Sequence, residues 1–432
     1  MELYDIFKSH PVISTDSRNC PSGSLFFALK GENHDANAFA LSALEVGAAF
    51  AVVDNPVYAK DERFILVENT LETLQDLARF HRRQLGAKII GITGTNGKTT
   101  TKELIAAVLS RKYNTLFTKG NLNNHIGVPL TLLQLRPEHE IGVIEMGANH
   151  AGEIKMLAEI VIPDLGIITN VGEAHLEGFG SFEGVKKTKS ELYDFIQENL
   201  GKIFLNTGNK DLVEMAESAG FNNYLGVLPY QMYTDIENKL ATGSITGNSP
   251  FLEMRCFTSE GGFDLKTNLI GAYNAENVLA AVAIGNYFDV DNTKIKEAIE
   301  SYQPQNNRSQ FTETPQNKLI IDAYNANPTS MRAAILNFSE MEVENKSLIL
   351  GDMFELGENS DEEHRKIIEL VKENSFSDVY LVGKSFQAVK SNFINFATAE
   401  ELNAFFEKNP LKNRFILIKG SRGMRLEKVK YL

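Results

Sequence analysis

Cysteine is scarce in this chain, since Cys20 and Cys256 are the only two among 432 residues. Two cysteines cannot build the disulfide framework of a small secreted protein, and they favour a reduced, cytoplasmic setting. Long apolar runs are also missing, because no stretch approaches the roughly 20 apolar residues that span a bilayer. The opening MELYDIFKSHPVIS has no basic segment followed by an apolar one, unlike a signal peptide. We therefore expect a cytoplasmic protein without membrane insertion.

Positive charge is in deficit, and the formal net charge is −13. This balance argues against a general nucleic-acid-binding or anionic-membrane surface, although it leaves room for a local basic pocket that binds phosphate. Hydrophobic residues make up 43% and charged residues 23%, as in ordinary globular proteins. At roughly 100–200 residues per domain, the length predicts about two to four domains. We expect a monomer with no nucleic-acid partner.

The chain divides into three α/β units, without an internal repeat or a low-complexity tract. Residues 1–85 mix short β-like runs with helical ones and predict a helix from Leu71 to Leu85. From residue 86, buried strand-like runs alternate with helices, as in a parallel sheet: KIIGIT, GVIEM, LGIITNV and KIFLN. Residues 222–270 predict turns and short strands, followed by a helix that ends at Tyr287.

A polar, proline-containing segment, SYQPQNNRSQ, marks the second boundary, so that the units are residues 1–85, 86–304 and 305–432. Beyond it, four strand-like runs alternate with helical segments: KLIIDAY, SLILGD, DVYLVG and RFILIKG. This alternation predicts a second doubly wound α/β unit.

The clearest motif is GITGTNGKTTTKE, residues 91–103. A strand, a glycine-rich turn and a helix start would place backbone N–H groups and a helix dipole around phosphate oxygens. Lys98 would reach the terminal phosphates and the Thr99 hydroxyl would bind Mg²⁺. The general phosphate-loop pattern requires glycine where this chain has Ile92, so a tight turn with an accidental Gly-Lys-Thr is the alternative.

Three further positions are candidates for metal binding. Glu145 ends an apolar strand, where a Mg²⁺ ligand is expected at the carboxyl edge of a parallel sheet, although an ordinary strand-end carboxylate fits equally. His175 follows the strand LGIITN; a lone histidine is more often a simple hydrogen-bonded residue. Lys186, Lys187 and Lys189 lie near the start of an amphipathic helix, where a solvated basic face is the plain interpretation.

Asparagine recurs around two other helix starts. Asn274 and Asn277 lie one turn apart and could cap a helix or contact an adenine edge. In IIDAYNANP, Asp322 ends a strand, and Asn325 and Asn327 fill a polar turn before a proline-initiated helix. Turn formation alone would explain these residues. Arg308 lies in the preceding linker.

Taken in order, these segments resemble the Mur ligase family, specifically its MurF type. The resemblance covers essentially the whole chain. GTNGKT is shared with folylpolyglutamate synthetases, whereas EMGANHAGEI, AHLEGFGS and YNANP are more specific. The motifs that carry it are TDSR (15–18), GSLFFALKGENHDANAF (23–39), GTNGKTTTKE (94–103), GNLNNHIGVPLTLL (120–133), EMGANHAGEI (145–154), ITNVGEAHLEGFGS (168–181), NAENVLAA (274–281), DAYNANP (322–328), LGDMFELG (350–357) and IKGSRGM (418–424).

The resemblance implies an N-terminal UDP-sugar domain, a central P-loop-type ATPase domain with a parallel sheet, and a C-terminal Rossmann-like domain that closes on ATP and binds a dipeptide. It implies an ATP-dependent, ADP-producing ligase that adds D-alanyl-D-alanine to UDP-N-acetylmuramoyl-tripeptide through an acyl phosphate, in peptidoglycan synthesis. Cell-wall biogenesis, cell shape and cell division are the processes expected to depend on it. Mobile hinges near residues 85 and 305 would serve the closure.

Individual roles follow from the same resemblance. Two Mg²⁺ ions are expected, the first held by Thr99 and Glu145, the second by His175 and a carbamylated Lys189, with Lys186 or Lys187 as alternatives for the modified lysine. Catalytic roles are expected for Lys98, His175 and Lys189. The predicted ATP-binding residues are Gly94, Thr95, Asn96, Gly97, Lys98, Thr99, Thr100, Asn274, Asn277, Arg308 and Asp322. The predicted substrate-binding residues are Ser17, Arg18 and Lys30, in the UDP site with the loop 30–39, and Asn325 and Asn327, in the dipeptide pocket with LGDMFELG.

Two alternative functions stay open at this point. The same chemistry could act on another substrate, as in an earlier Mur ligase or a folylpolyglutamate synthetase, although YNANP and the UDP-type N-terminal segment argue against this. Alternatively, the chain could be a protein of a different class, whose interaction with a partner is controlled by ATP binding and which forms no amide. Glu145, His175 and Lys189 favour the enzyme.

Overall fold

The computed structural model describes residues 2–31, 34–222, 225–305 and 307–432. Its N-terminal part holds a parallel sheet in the order β1-β2-β5-β6 and a small antiparallel pair, β3-β4. Asn69 caps the third helix by accepting from the backbone N–H groups of Leu71 and Glu72, which explains why that helix begins one residue before the predicted start. The elements are α1 (Glu2–Ser9), β1 (Ile13–Ser14), β2 (Leu25–Phe27), β3 (Lys30–Gly31), β4 (His34–Asp35), α2 (Ala40–Val46), β5 (Phe50–Val53), β6 (Phe64–Leu66) and α3 (Thr70–Arg83).

A nine-stranded second sheet follows, in the order β15-β14-β13-β12-β11-β10-β7-β9-β8. Its strands are parallel from β8 to β13, and β14 and β15 are antiparallel. The elements are β7 (Lys88–Thr93), α4 (Lys98–Leu109), β8 (Thr115–Phe117), α5 (Gly127–Leu132), β9 (Ile141–Glu145), α6 (Glu153–Val161), β10 (Leu165–Ile168), α7 (Leu176–Phe179), α8 (Phe182–Glu198), β11 (Lys202–Asn206), α9 (Lys210–Ser218), β12 (Val227–Met232), β13 (Ala241–Asn248), β14 (Phe251–Thr258), β15 (Gly261–Ile270), α10 (Ala275–Tyr287) and α11 (Asn292–Ser301).

The prediction of short strands between residues 222 and 270 was wrong. Three of the strands there, β13, β14 and β15, have 8, 8 and 10 residues and form an antiparallel ribbon with one register shift in each strand pair. Glycine and asparagine suggested frequent turns, but the ribbon covers α10 and α11 with alternating apolar residues such as Met254 and Cys256. Tertiary packing has therefore overridden local propensity here.

The C-terminal part is a six-stranded third sheet in the order β16-β17-β21-β18-β19-β20. The four predicted strands are parallel neighbours at its centre, and β16 and β20 are edge strands that the sequence interpretation omitted. The elements are β16 (Gln310–Glu313), β17 (Lys318–Asp322), α12 (Pro328–Glu340), β18 (Lys346–Gly351), α13 (Ser360–Glu373), β19 (Val379–Val382), α14 (Lys384–Ala388), β20 (Ile394–Phe396), α15 (Ala399–Lys408) and β21 (Phe415–Lys419). The expected α/β class with predominantly parallel sheets is confirmed.

The first sheet is joined to the second through helix α3. Its buried Arg82 pairs with Asp164 at 2.9 Å and donates to the carbonyl groups of Val161 and Ile162. Apolar side chains of both parts form one continuous core. Rotation at the hinge expected near residue 85 would have to break the Arg82–Asp164 pair and divide that core, and this hinge stays a prediction. The hinge expected near residue 305 includes Asn306, which lies outside the described residues.

The second and third sheets meet around Asn337 of α12. Its side-chain oxygen accepts from Asn248 Nδ2 at 2.6 Å and from the backbone N–H of Ala272 at 2.9 Å. Nearby, the rings of Phe251 and Phe311 meet edge to face. This contact leaves the carboxyl ends of both sheets facing a common cavity. No helix within the described ranges is long and apolar enough to cross a membrane.

Candidate active site

A cavity of about 1160 Å³ lies between the carboxyl ends of the second and third sheets. It is lined on one side by the turn after β7, the ends of β9 and β11 and the start of α10. On the other side it is lined by the end of β17, the first turn of α12 and Lys419 at the end of β21. Ligands of doubly wound sheets bind at this edge of the strands.

The turn between β7 and α4 needs glycine at two positions. Gly94 has φ +141°, and a Cβ there would lie 2.1 Å from Thr169 Oγ1. Gly97 has φ +78°, and a Cβ there would lie 2.5 Å from Asn277 Oδ1. The turn is also anchored, because the backbone N–H groups of Thr95 and Asn96 donate to Asn170. The result is a rigid loop that ends at a helix N-terminus, a suitable site for phosphate.

Lys98 is the first residue of α4 and its ammonium group bends back over this loop. Nζ donates to the carbonyl oxygen of Gly94 at 2.6 Å and to that of Thr95 at 2.9 Å. Burial lowers the pKa of Lys98 to about 8, partly opposed by the Glu145 carboxylate. The loop thus holds a cation at its mouth, next to Thr99 and Thr100, which also line the cavity.

Glu145 provides a carboxylate that fits a cation. Its Oε1 accepts from the Thr99 hydroxyl at 3.2 Å and from Asn123 Nδ2 at 2.8 Å, which fixes the orientation of the group. Its Oε2 is buried without a hydrogen-bond partner among the described residues. The buried Lys102 ammonium lies 3.9 Å from Oε2, an ion pair too long for a hydrogen bond, so a bound divalent cation would complete the group. Asn123 had no predicted role, although it lies in a motif that carries the resemblance.

Lys189 and His175 both lie near the ring of Phe179. Nζ of Lys189 is 5.2 Å from the centre of that ring, and the His175 ring is 6.1 Å from it. Burial lowers the pKa of Lys189 to about 7, and the nearby Lys98 cation acts in the same direction. Burial also lowers the pKa of His175, partly opposed by Glu355, whose carboxylate contacts Nδ1. Glu355 enters from the third-sheet side. It belongs to LGDMFELG, which was expected in the dipeptide pocket, but its contact with His175 was not predicted.

The three lysines of α8 occupy different environments. Lys186 pairs with Asp211 at 3.0 Å and with Glu214 at 3.1 Å on the outer surface. Lys187 is exposed, whereas Lys189 is buried. Lys189 is thus the one of the three that is buried beside Phe179 and within electrostatic reach of Lys98, although it does not line the cavity itself. Within the described ranges, no three His, Cys, Asp or Glu side chains cluster as a ready metal site, so a cation here would need hydroxyl or modified-lysine ligands as well.

The predicted adenine pair, Asn274 and Asn277, lines the cavity but is tied into the protein. Asn277 accepts from the Thr101 hydroxyl at 3.0 Å and donates to Asn274 Oδ1 at 2.9 Å. Asn274 donates to the carbonyl oxygen of Ile270. Their amides join α4 to α10, and adenine contact by this pair stays a prediction.

Two polar residues that the sequence interpretation omitted line the same end of the cavity. Asn206 ends β11, and Glu276 lies in the first turn of α10. Burial raises the pKa of Glu276, which Asn206 partly opposes. A polar residue at the end of the buried run KIFLN was the available indication of this position.

The third-sheet side contributes a compact group of charged residues. Asp322 accepts from Lys419 Nζ at 2.5 Å and from the backbone N–H of Ser309 at 3.2 Å. The guanidinium group of Arg308 stacks on Tyr324, 3.7 Å from the ring centre. Asn325 lies beside this group and lines the cavity. Lys419 had no predicted role, although a lysine at the end of the run RFILIK is unusual enough to have indicated it.

Asn327 is the N-cap of α12. Its side-chain oxygen accepts from the backbone N–H of Ser330 at 2.8 Å, and its Nδ2 donates to Asn96 Oδ1 at 2.9 Å. Both ends of the amide thus make one hydrogen bond within the protein, and the dipeptide contact expected of Asn327 stays a prediction. Unlike Asn325, Asn327 joins the two walls of the cavity.

The residues predicted to bind the UDP moiety lie outside this cavity. Arg18 is exposed and pairs with Asp16, and Ser17 is half-buried in the same turn. Lys30 pairs with Asp54 at 2.8 Å. Residues 32–33 of the predicted loop 30–39 lie outside the described residues. The structure therefore groups the ATP and metal candidates and does not bring the UDP candidates to them.

Comparison with known proteins identifies the family. The Mur ligase middle-domain model matches residues 92–285, and the Mur ligase glutamate ligase domain model matches residues 307–422. A UDP-N-acetylmuramoyl-tripeptide–D-alanyl-D-alanine ligase of Bacillus subtilis is 34% identical over 96% of this chain and 92% of its own length.

Solved structures agree with this assignment. A crystal structure of MurF from Acinetobacter baumannii superposes with a TM-score of 0.85 at 32% identity, covering 96% of this chain and 92% of that one. MurF from Thermotoga maritima in complex with ADP superposes with a TM-score of 0.83 at 27% identity, covering 98% and 97%. The chain therefore belongs to the Mur ligase family, as an ATP-dependent, amide-bond-forming ligase of the MurF type.

Proposed function

We propose that this ligase joins the terminal carboxylate of UDP-N-acetylmuramoyl-tripeptide to the amino group of D-alanyl-D-alanine. The observation that carries the proposal is the single cavity that places Lys98, Glu145 and His175 on one wall and Arg308, Asp322 and Asn325 on the other. The residues of the first wall suit phosphate and carboxylate chemistry. The second wall would bind the dipeptide and orient its amine. The relatives of this chain support the choice of substrates.

The reaction has two balanced steps. A carboxylate oxygen of the tripeptide attacks the γ-phosphorus of ATP, ADP leaves, and an acyl phosphate forms. The neutral amine of the dipeptide then attacks the acyl carbon, loses a proton, and inorganic phosphate leaves as the amide forms. Lys98 and the N–H groups at the start of α4 would neutralise the charge that builds up on the transferred phosphoryl group.

Divalent cations would supply further neutralisation and align the phosphates. Thr99 and Glu145 would hold one ion, since the oxygen chemistry of both side chains suits Mg²⁺ and Glu145 Oε2 accepts no hydrogen bond within the described residues and faces the Lys102 ammonium at a distance of 3.9 Å. His175 and a carbamylated Lys189 would hold a second. Reaction of the Lys189 amine with CO₂ forms an N–C bond, releases a proton and turns a cation into an anionic oxygen ligand.

The environment of Lys189 supports this modification. Only the neutral amine reacts with CO₂, and a pKa of about 7 makes a large neutral fraction available at physiological pH. Intact-mass measurement under bicarbonate, with gentle ionisation, should show an added mass of about 44 Da, equal to one CO₂, that is absent from Lys189→Ala. Addition of CO₂ to a lysine elsewhere would leave the Lys189→Ala variant equally modified and contradict the assignment.

We further propose that each of the three parts of the chain binds a different ligand. Residues 1–85 bind the UDP moiety, residues 86–304 bind ATP, and residues 305–432 close on ATP and bind the dipeptide. The monomeric state and the cytoplasmic location stay predictions, and light scattering during gel filtration would test the former.

The deciding experiment is product mass. The purified chain is incubated with ATP, Mg²⁺, UDP-muramoyl-tripeptide and either D-alanyl-D-alanine or single amino acids. A product that appears only with the dipeptide supports the proposal. Product with a single amino acid would indicate another Mur-type or folylpolyglutamate-type ligase, and retained ATP without any amide would indicate an ATP-binding protein of another class.

A further inference from the structure

A side-chain hydrogen bond links the phosphate loop directly to the third-sheet side of the cavity. Asn327 Nδ2 donates to Asn96 Oδ1 at 2.9 Å, across 231 positions of sequence. Asn327 is buried, with an exposed fraction of 6%, so solvent competes little for this bond. The two residues belong to the nucleotide turn and to the first turn of α12, which carry different parts of the proposed reaction.

Further hydrogen bonds fix each of the two asparagines within its own segment. The backbone N–H of Asn96 donates to Asn170 Oδ1 at 2.9 Å, and its carbonyl oxygen accepts from the Thr169 hydroxyl at 2.6 Å. Asn327 forms a capping box with Ser330. The link therefore connects two fixed elements, and displacement of one must either move the other or break the bond.

A second contact lies beside it. Thr329 Oγ1 accepts from the backbone N–H of Glu173 at 3.1 Å, in the loop that leads to His175. A Cβ on Gly172 would lie 3.0 Å from the same Thr329 oxygen, so the two backbones approach closely. The first turn of α12 thus rests on both the phosphate loop and the loop that carries His175.

From these contacts we infer that Asn327 is a positioning residue that couples the nucleotide loop to the dipeptide side, through Asn96. This inference rests on the proposed function. An acyl phosphate must be shielded from water until the amine arrives. The Asn96–Asn327 bond holds the third-sheet wall in the position that provides this shield. Without it, water attacks the acyl phosphate, the tripeptide carboxylate is restored, and the net reaction is hydrolysis of ATP to ADP and phosphate.

The test compares two substitutions at one position. Asn327→Ser removes the amide that reaches Asn96 and keeps a good N-cap for α12, whereas Asn327→Ala removes both. Amide product and ADP are measured in the same reaction with all substrates present. We expect close to one amide per ADP in the wild-type chain, with a small measurable excess of ADP. Loss of a neutral hydrogen bond should increase this excess of ADP over amide by about two- to tenfold in both variants. Tm should fall in both variants, and further in Asn327→Ala because it also loses the helix cap.

A double-substitution cycle with Asn96→Ala identifies the partner. If the bond is the coupling element, Asn96→Ala uncouples the reaction as Asn327→Ser does, and the combined variant is no worse than either single one. The inference would be overturned by an Asn327→Ser chain that forms as much amide per ADP as the wild-type chain, whatever its turnover rate. Additive uncoupling in the combined variant would overturn it as well.

Thermal unfolding of the wild-type chain, Asn327→Ser, Asn96→Ala and the combined variant gives a readout that does not depend on ligation. The two Tm changes should not add, because either substitution alone already removes the bond. If the wild-type chain forms no amide with the dipeptide, the proposed function fails. The Tm values of the four proteins still test the Asn96–Asn327 contact. Additive Tm changes would then overturn the coupling role as well.

Discussion

Nζ of Lys189 lies 3.5 Å from the carbonyl oxygen of Ala148, and that oxygen is its hydrogen-bond partner in the described part of the chain. A buried ammonium group with so weak a contact is poorly stabilised as a cation. The same position becomes favourable if the nitrogen carries a carboxylate that binds a divalent ion. Burial of Lys189 therefore comes at a cost to stability, which its proposed role as a modified metal ligand would account for.

Substitution of Lys189 should abolish ligation while a neighbouring lysine is dispensable. For Lys189→Ala we expect kcat to fall at least about 100-fold, because a metal ligand is lost, and to recover in part with added formate or acetate. Lys186→Ala is the matched control on the same helix; its ion pairs with Asp211 and Glu214 are on the surface, so its activity should stay near that of the wild type. Unchanged turnover in Lys189→Ala would contradict the assigned role.

Glu145 should set the dependence on Mg²⁺. Glu145→Gln keeps the size of the side chain but removes the charge beside the Thr99 hydroxyl. We expect the Mg²⁺ concentration for half-maximal activity to rise by about tenfold or more, with Tm little changed. A titration of initial rate against Mg²⁺ measures this shift. Thr99→Val should move the same midpoint, and equal Mg²⁺ dependence in all three proteins would rule out the site.

Gly94 should be irreplaceable in the phosphate loop. In Gly94→Ala, the new Cβ would meet Thr169 Oγ1, and φ of +141° is unfavourable for alanine. We expect a loss of at least about 2 kcal/mol in the free energy of unfolding, or a displaced loop with weak ATP binding. Gly86→Ala is the control, because nothing lies within 4 Å of its added Cβ. Urea unfolding and ATP titration of both variants would show whether the strain is local to the loop.

His364 should contribute to acid sensitivity. It is buried, its Nε2 accepts from the backbone N–H of Met353 at 3.1 Å, and its Nδ1 lies 2.7 Å from the carbonyl oxygen of Ser360. Burial lowers the pKa of His364 below its usual 6.5, although the Ser360 carbonyl and the carboxylates of Asp352, Asp361 and Glu363 oppose the shift. The folded chain thus resists protonation at a site where the unfolded chain accepts it.

The sign of the pH effect follows from this difference. Between the unfolded value of 6.5 and the lower folded value, the unfolded chain binds more protons, so stability falls as the pH falls. His364→Gln lacks this contribution, and its free energy of unfolding should decline less between about pH 7.5 and 5. Burial also lowers the pKa of His81, and this residue contributes to the pH dependence of stability in both proteins. Parallel stability curves for the two proteins would contradict the assignment.

Much of the fold was accessible from local patterns. Buried runs such as KIIGIT and LGIITN became central parallel strands because a short, nearly continuous apolar run suits a strand covered on both faces. The helix expected to end at Tyr287 ends there. The long ribbon β13–β15 was missed because its strands gain their stability from packing on α10 and α11, which a local window does not contain.

The site divides in a similar way. Residues of the phosphate loop could be recognised because one contiguous segment supplies the turn, the lysine and the hydroxyl. The contact of Glu355 with His175 could not, since it joins the third-sheet side to the second-sheet side. The Lys419–Asp322 pair could not either, because it depends on β21 lying beside β17 in the third sheet. Asn327 shows the limit most clearly: its place before Pro328 predicted a turn and a cap, while its second bond depends on how two sheets are set against each other.

By itself, the sequence determined which segments become strands and helices, where the nucleotide turn lies, and which residue types could serve phosphate and metal. These are properties of neighbouring residues, fixed by hydrophobic periodicity and backbone sterics. Only the tertiary structure decided that Lys189 rather than Lys186 or Lys187 is buried, and that Asn327 meets Asn96. Burial and long-range pairing depend on which surfaces pack together, and no short stretch of chain contains that information.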